Sequence, residues 1–316
     1  MTTPMRKPLR RKTRRGGAAV ACIVALGVAA MTTGCDASSA PEPITPVTVT
    51  VTSTPSATTQ TPTPTPGTFA NPSASGSYGA LAAGFQKVAT ATGATVGISI
   101  APVGGNAVAG LTLGDQTRQV AWSTIKVPLA VAAERQNGPS PAASAAIINS
   151  DNASAEALWS SLGGGQAAAD AVTEVLREGG DTTTVVPATQ RRAGYTIFGQ
   201  TVWALADAAT FTAHLPCMRG TRNVLSLMGE VAGNQQWGVE IMSAPRATAV
   251  KGGWGPGMSS GYLVRQIGLF TFRDGSRTAV AMSAVGGSMG AGIAALNAVA
   301  NWLNRNMTAL PRGRCA

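Results

Sequence analysis

Ser123-Thr124-Ile125-Lys126 places a hydroxyl and an amine three residues apart. On a helix, positions i and i+3 share a face, so the amine can take a proton from the hydroxyl and make it a nucleophile. The lysine must be neutral to do so, which burial or a nearby cation favours. With 22 Ser and 5 Lys in the chain, chance alone supplies about a third of one such pair. Ser150-Asp151-Asn152 begins 27 residues after Ser123. Composition predicts about 0.02 such tripeptides, although all three residue types are also good helix caps. Lys251-Gly252-Gly253, followed by Trp254-Gly255, comes at the end of a predicted strand. Taken singly, that lysine reads as a solvated strand end.

A single histidine, His214, narrows the chemistry. It lies in Ala213-His214-Leu215 on an apolar helical stretch, where a packed or surface histidine is the plainer reading. One His and scattered Cys do not supply the roughly three protein ligands of a catalytic zinc. No metal and no cofactor is implied, and any nucleophile needs a base other than His.

The elements that must carry these residues follow from periodicity and turn chemistry. Leu81, Phe85 and Val88 mark an amphipathic helix over 77–92. Thr95–Pro102 and Ala107–Leu113 read as strands around Gly104-Gly105-Asn106. A helix follows Ser123. Asn149 to about Arg177 is helical with a break at Gly163-Gly164-Gly165, and Thr201–Leu215 is helical again. Thr248–Gly253 is a strand, and Val264–Phe272 and Thr278–Val285 pair across Asp274-Gly275. A last helix has Ile293, Leu296, Ala300 and Leu303 on one face. Strands near both ends with helices between predict an α+β domain. Its antiparallel sheet is assembled from the two termini, flanked by N- and C-terminal helices, and an all-helical lobe is inserted. A cleft between the lobes is the expected place for a site.

The three motifs, in this chain order, resemble those of the serine β-lactamase and penicillin-binding superfamily: Ser-x-x-Lys, Ser-Asp-Asn and Lys-Thr-Gly. Ala121–Leu129 is similar to the family's nucleophile helix, and Ala145–Asn152 leading to Leu162-Gly163-Gly164 is similar to a class A β-lactamase segment. The likeness extends over about residues 77–308. It implies that Ser123 is acylated, that Lys126 accepts its proton, and that Ser150 relays a proton to the leaving group. Asn152 would hold Lys126 and the substrate amide. Lys251 would supply positive potential for a substrate carboxylate, with Gly253 and Trp254 at the substrate. The N–H groups of Ser123 and Trp254 would form the oxyanion hole. Such a site attacks a strained or peptide-like amide.

Three departures from the family pattern bear on substrate and turnover. Gly252 stands where the family has Thr or Ser, a lost hydrogen bond to a substrate carboxylate of about 1.5–3 kcal/mol, or 10- to 150-fold in affinity, unless Ser259 or Ser260 substitutes. Between Asp181 and Leu205 there is no acid, only Gln190, Arg191, Arg192 and Gln200 as long polar side chains, where class A enzymes carry the deacylating glutamate. Glu174 and Glu178 lie earlier, as solvated helix charges. The interval from Lys126 to Ser150 is short, which predicts a more open site, suited to a larger substrate such as a cell-wall peptide.

The charge of +10 belongs mostly to a leader. Seven of the 24 basic residues lie in the first 15 positions, and removing residues 1–34 leaves a net of +3. Nucleic acid is therefore not an expected partner. Arg6–Arg15, the apolar run Gly16–Met31 and Thr32-Thr33-Gly34-Cys35 have the order of an export signal. The Gly-Cys ending resembles a bacterial lipobox, which implies lipidation of Cys35 and a membrane anchor; an uncleaved membrane-spanning anchor is the alternative. Residues 35–76 are a Thr/Pro-rich tether, and 77–316 the folded domain. Cys217 and Cys315 remain as a disulfide candidate, with free thiols as the alternative. The expectation is an extracytoplasmic, lipid-anchored serine hydrolase or acyl-transferase acting on a cell-wall peptide or another amide or ester. The alternatives are a non-catalytic wall-binding or scaffolding lipoprotein and a weak class A-like β-lactamase.

Overall fold

The computed structural model describes residues 78–104 and 109–316. The leader, Cys35 and the tether lie outside the described residues, as do Gly105 and Asn106 of the first predicted turn. Helix α1 (Gly79–Thr92) leads into β1 (Thr95–Pro102) and β2 (Leu111–Gly114). The short β3 (Gln119–Val120) precedes a 3₁₀ turn, Trp122–Ile125. Four helices follow: α2 (Lys126–Asn137), α3 (Pro141–Ile148), α4 (Asn152–Ser161) and α5 (Gly165–Glu178). Then come β4 (Val202–Trp203), α6 (Leu205–His214) and α7 (Arg222–Met228). The chain closes with β5 (Ala247–Pro256), β6 (Tyr262–Thr271), β7 (Arg277–Gly286) and α8 (Met289–Arg305).

The main sheet has the order β2-β1-β7-β6-β5 with every pairing antiparallel. Thr95 pairs with Val285, so the sheet is closed by the two ends of the domain as the element order predicts. Both faces are covered. That is why β6 and β7 are buried almost without interruption instead of alternating. One face, through Val264, Phe270, Val280 and Met282, packs on α1 and α8, where the Phe85 and Trp302 rings meet edge to face at 5.5 Å. The other, through Ile267, Leu269, Ala279 and Ala281, packs on the helical lobe.

Three details differ from the sequence expectation. The helix after Ser123 begins only at Lys126, because Ser123 sits in the 3₁₀ turn. The helix expected from Asn149 begins at Asn152, since Ser150 adopts a left-handed backbone conformation with φ 57°. Residues 202–203, placed in a helix by periodicity, pair instead with Gln119 and Val120. Cys217 and Cys315 form a disulfide, with Cα atoms 5.3 Å apart, that ties the C-terminal tail to the body. His214, the last residue of α6, is half-buried with Nδ1 2.9 Å from the Thr210 carbonyl oxygen. Among the described residues no helix is long and apolar enough to cross a membrane.

Candidate active site

Only two described non-glycine residues have positive φ, and both belong to the site: Trp122 at 47° and Ser150 at 57°. Such conformations cost on the order of 1–3 kcal/mol each and persist where surrounding structure imposes them. Trp122 is held on one side by the hydrogen bond from Ala121 N to the Thr201 carbonyl at 2.7 Å. On the other it abuts β5, where a Cβ on Gly255 would lie 2.7 Å from its ring. The turn that follows presents Ser123, half-buried, at a cleft of about 540 Å³ between the lobes. In a 3₁₀ turn residues i and i+3 eclipse, so Ser123 and Lys126 project from the same side.

Lys126 is completely buried. Its ammonium donates to the Ser150 carbonyl (2.7 Å), the Asp151 carbonyl (3.2 Å) and Asn152 Oδ1 (2.8 Å). Burial lowers its pKa to about 8, with the carboxylates of Asp151 and Glu156 opposing the shift. An amine so placed exchanges a proton near neutral pH, as a base for Ser123 requires. Asn152, at the start of α4, and Ser150 line the cleft across from Ser123. Asp151 turns away and caps α4, accepting from Ser154 N at 2.7 Å.

Lys251, on β5, is also fully buried. It donates to Gln235 Oε1 (2.6 Å), Ser150 Oγ (2.9 Å) and the Gly252 carbonyl (2.9 Å). Ser150 thus gives its carbonyl to one lysine and its hydroxyl oxygen to the other, an arrangement its left-handed backbone permits. With Oγ accepting from Lys251, the Ser150 proton is free to be donated into the cleft. Burial drives the Lys251 pKa well below its usual value, and the charge of Lys126 adds to the effect.

Gly253 lies against the nucleophile turn: a Cβ there would be 2.9 Å from Ser123 N and 2.8 Å from the Ala121 carbonyl. The backbone of β5 can approach the Ser123 N–H only with glycine at this position. Trp254, the next residue, lines the cleft. A Cβ on Gly252 would lie 2.7 Å from the ring of Trp237, so the missing hydroxyl is matched by an indole filling its place. Ser259 and Ser260 are exposed on the β5–β6 turn and are not among the residues lining the cleft. The loop between α5 and β4 contributes Gly194, Tyr195 and Thr196 to the wall. Gln200, buried beneath it, accepts from Arg191 N and Arg192 N and donates to the carbonyls of Arg192, Tyr195 and Thr196. No acid from this loop reaches the cleft lining. Glu178 pairs with Arg135 and Glu174 is exposed on α5.

Four contributors carried no sequence signal. Gln235 holds both Lys251 and Gly252 N through Oε1 and reaches the carbonyls of Ile147 and Ile148 through Nε2. Arg265, buried on β6, donates to the carbonyls of Gln119, Val120 and Trp203 and ties the β3–β4 pair beneath the nucleophile to the main sheet. Burial lowers its pKa to about 9. Glu156, one turn along α4 from Asn152, has its own pKa raised by burial. Trp237 is the fourth. Isolated Gln, Arg, Glu and Trp residues match no spacing, and only the fold brings them here.

Among solved structures, the chain is similar to a β-lactamase from Sphaerobacter thermophilus, with TM-score 0.55 and 18% identity over 75% of this chain and 99% of that one. The serine β-lactamase fold is therefore the fold of this chain. A β-lactamase from Burkholderia vietnamiensis gives TM-score 0.54 and 19% identity, covering 72% of this chain and 96% of that one. A variant of the class A β-lactamase of the last common ancestor of Gram-negative bacteria gives TM-score 0.52 and 17% identity, covering 72% and 98%. No family model and no curated protein sequence matches the chain. At these identities the β-lactamase fold is shared while the activity has to be argued from the site.

Proposed function

We propose that this domain is a serine acyl hydrolase or acyl-transferase working through an acyl-enzyme on Ser123. The observation that carries the reading is the single cleft where Ser123, Ser150 and Asn152 meet, backed by a buried Lys126 whose pKa of about 8 suits proton exchange. Ser123 Oγ attacks the carbonyl carbon of an amide or ester while its proton passes to neutral Lys126. The N–H groups of Ser123 and Trp254 hold the developing oxyanion. The tetrahedral adduct collapses as Ser150 donates a proton to the leaving amine or alcohol, and water or a second nucleophile then takes the acyl group. On this reading the domain works outside the cytoplasm, held to the membrane by lipid on Cys35 through the 35–76 tether, and a cell-wall peptide is one candidate substrate.

Gly252 with Trp237 against it, and a loop without an acid, favour a second reading: a wall-binding module that keeps the fold without turnover. They argue against an efficient β-lactamase, because a β-lactam acyl-enzyme would lack a base to release it. Incubating the full-length protein with a fluorophosphonate and with a fluorescent penicillin, beside Ser123→Ala, separates these readings by adduct mass. Stable fluorophosphonate label on Ser123, absent from the variant, is expected. Rapid release of a chromogenic cephalosporin product would revive the lactamase. No adduct with any acylating or phosphonylating reagent would leave the binding module.

A further inference from the structure

Resting on Ser123 as the nucleophile, we propose that the cleft selects an uncharged ester or amide carrying an aromatic or extended apolar group beside the reacting carbonyl, and rejects substrates ending in a carboxylate.

The first support is what Gly252 and Trp237 do together. A side-chain hydroxyl at position 252 would be needed to hold a carboxylate beside β5, and the space it would use is occupied by the Trp237 ring, 2.7 Å from where a Cβ would stand. That ring does not swing aside freely. Trp237 is buried, its indole N–H donates to the Asn234 carbonyl at 3.0 Å, and it meets Trp254 edge-on at 6.5 Å between centroids. Position 252 therefore offers no side-chain hydroxyl beside β5, and the space for one is filled.

The second is that the nearby positive charges are already engaged. Lys251 and Lys126 each donate to three protein acceptors, and neither lysine is among the residues lining the cleft. Arg192 lies outside the lining. Its guanidinium stacks 5.1 Å from the Tyr195 ring centroid and 5.9 Å from that of Trp122, and donates to the Gly257 carbonyl. It braces the loop against the β5–β6 turn. No charged side chain lines the cleft, and bringing a carboxylate there would desolvate it without a charged partner.

The third is what lines it instead. Trp122, Tyr195, Trp254 and Tyr262 come from four separate elements to surround Ser123. Trp122 and Tyr195 pack at 5.0 Å between centroids, which fixes both rings. Burial and the neighbouring Tyr195 push the Tyr262 phenol up, so this wall stays neutral. Rigid aromatic faces around a few polar groups bind apolar and aromatic groups, with the polar groups orienting the reacting bond.

The chemistry balances without further reagents. Ser123 Oγ forms the acyl ester as the alcohol or amine departs with one proton, and water later adds across the acyl–oxygen bond to return the carboxylic acid and free Ser123.

A matched pair of substrates tests the selection on the full-length protein. 4-Nitrophenyl butyrate and 4-nitrophenyl hemisuccinate are nearly the same size and differ in a terminal carboxylate. The expected kcat/KM is at least about tenfold higher for butyrate. 4-Nitrophenyl phenylacetate should exceed the acetate, and Trp254→Ala and Tyr195→Ala should each shrink that phenylacetate-to-acetate ratio. Hemisuccinate turnover equal to or faster than butyrate, or ratios unchanged in both variants, would overturn the proposal while labelling of Ser123 left the catalytic reading standing. Should no ester acylate Ser123, the catalytic reading fails separately. Quenching of tryptophan fluorescence by N-methylphenylacetamide against phenylacetylglycine then still reads the preference, and tighter binding of the anionic compound counts against it.

Discussion

Lys126 and Lys251 approach Ser150 from opposite lobes, one bonded to its carbonyl oxygen and the other to its hydroxyl. Both amines are completely buried and both have three acceptors, so at the level of contacts they are alike. Their electrostatic surroundings differ. Lys126 has Asp151 and Glu156 near enough to offset part of its burial, and its pKa stays at about 8. Lys251 has no carboxylate in its environment and has the charge of Lys126 instead, so it is held well below its usual value. The same residue type therefore serves two purposes. Lys126 is poised to exchange a proton, while Lys251 anchors β5 and orients the Ser150 hydroxyl.

That contrast breaks most visibly in the chemical step. Lys126→Met is expected to slow acylation of Ser123 by about a thousandfold, the loss typical of a removed general base, with the fold retained. Lys251→Met is expected to slow it by about a hundredfold through Ser150, and to lower stability as well, since Gln235 Oε1 and Ser150 Oγ lose a donor. Stopped-flow acylation by an alkyl ester or amide substrate, alongside urea denaturation of both variants, checks the pair. Equal losses of rate at unchanged stability would erase the distinction between base and anchor.

Gln235 sharpens the anchoring half. Gln235→Leu leaves the Lys251 amine and Gly252 N without their shared acceptor, and the carbonyls of Ile147 and Ile148 without a donor. The expected cost is about 3 kcal/mol of stability, measured as a lower urea midpoint at constant slope. A change below about 0.5 kcal/mol would show that the Lys251 network is not what holds β5 to α3.

The two halves of the cleft were unequally legible in the sequence. Ser123, Lys126, Ser150 and Asn152 stand close to a nucleophile in chain order, and their chemistry constrains spacing, so a motif exposes them. The antiparallel closure of β1 on β7 was legible for a similar reason: strands at both ends of a helical insert have few ways to pair. The opposite wall obeys no local rule. Gln235 lies on a short 3₁₀ turn, Tyr195 on a loop without helical or strand periodicity, and Arg265 inside a strand that is otherwise mostly apolar. Each acquires its role through a partner 16 to 146 residues away. Gly252 was visible as a departure, but its compensation by Trp237 was not, because the void and the indole that fills it lie 15 positions apart, one in β5 and the other in the chain before it, with no shared periodicity.

The subtlest test concerns the carboxylates that keep Lys126 from following Lys251. For a lysine that must be neutral to act, kcat/KM rises with pH and levels off above the pKa of the free enzyme, so acylation should climb through about pH 8. Glu156 favours the charged ammonium, and its own pKa is raised by burial, which places it in the same partly desolvated region. Glu156→Gln removes that negative charge without changing the size of the side chain. The midpoint of the pH profile should then move down, and acylation at pH 7 should increase by about two- to threefold while the plateau above pH 9 is unchanged. Asp151→Asn should move it at least as far in the same direction, since Asp151 is the larger of the two carboxylate influences on Lys126. A midpoint that stays near 8 in both variants, or that rises, would mean that burial alone sets the Lys126 amine. The difference between the two lysines would then lie in depth and not in the acids beside them.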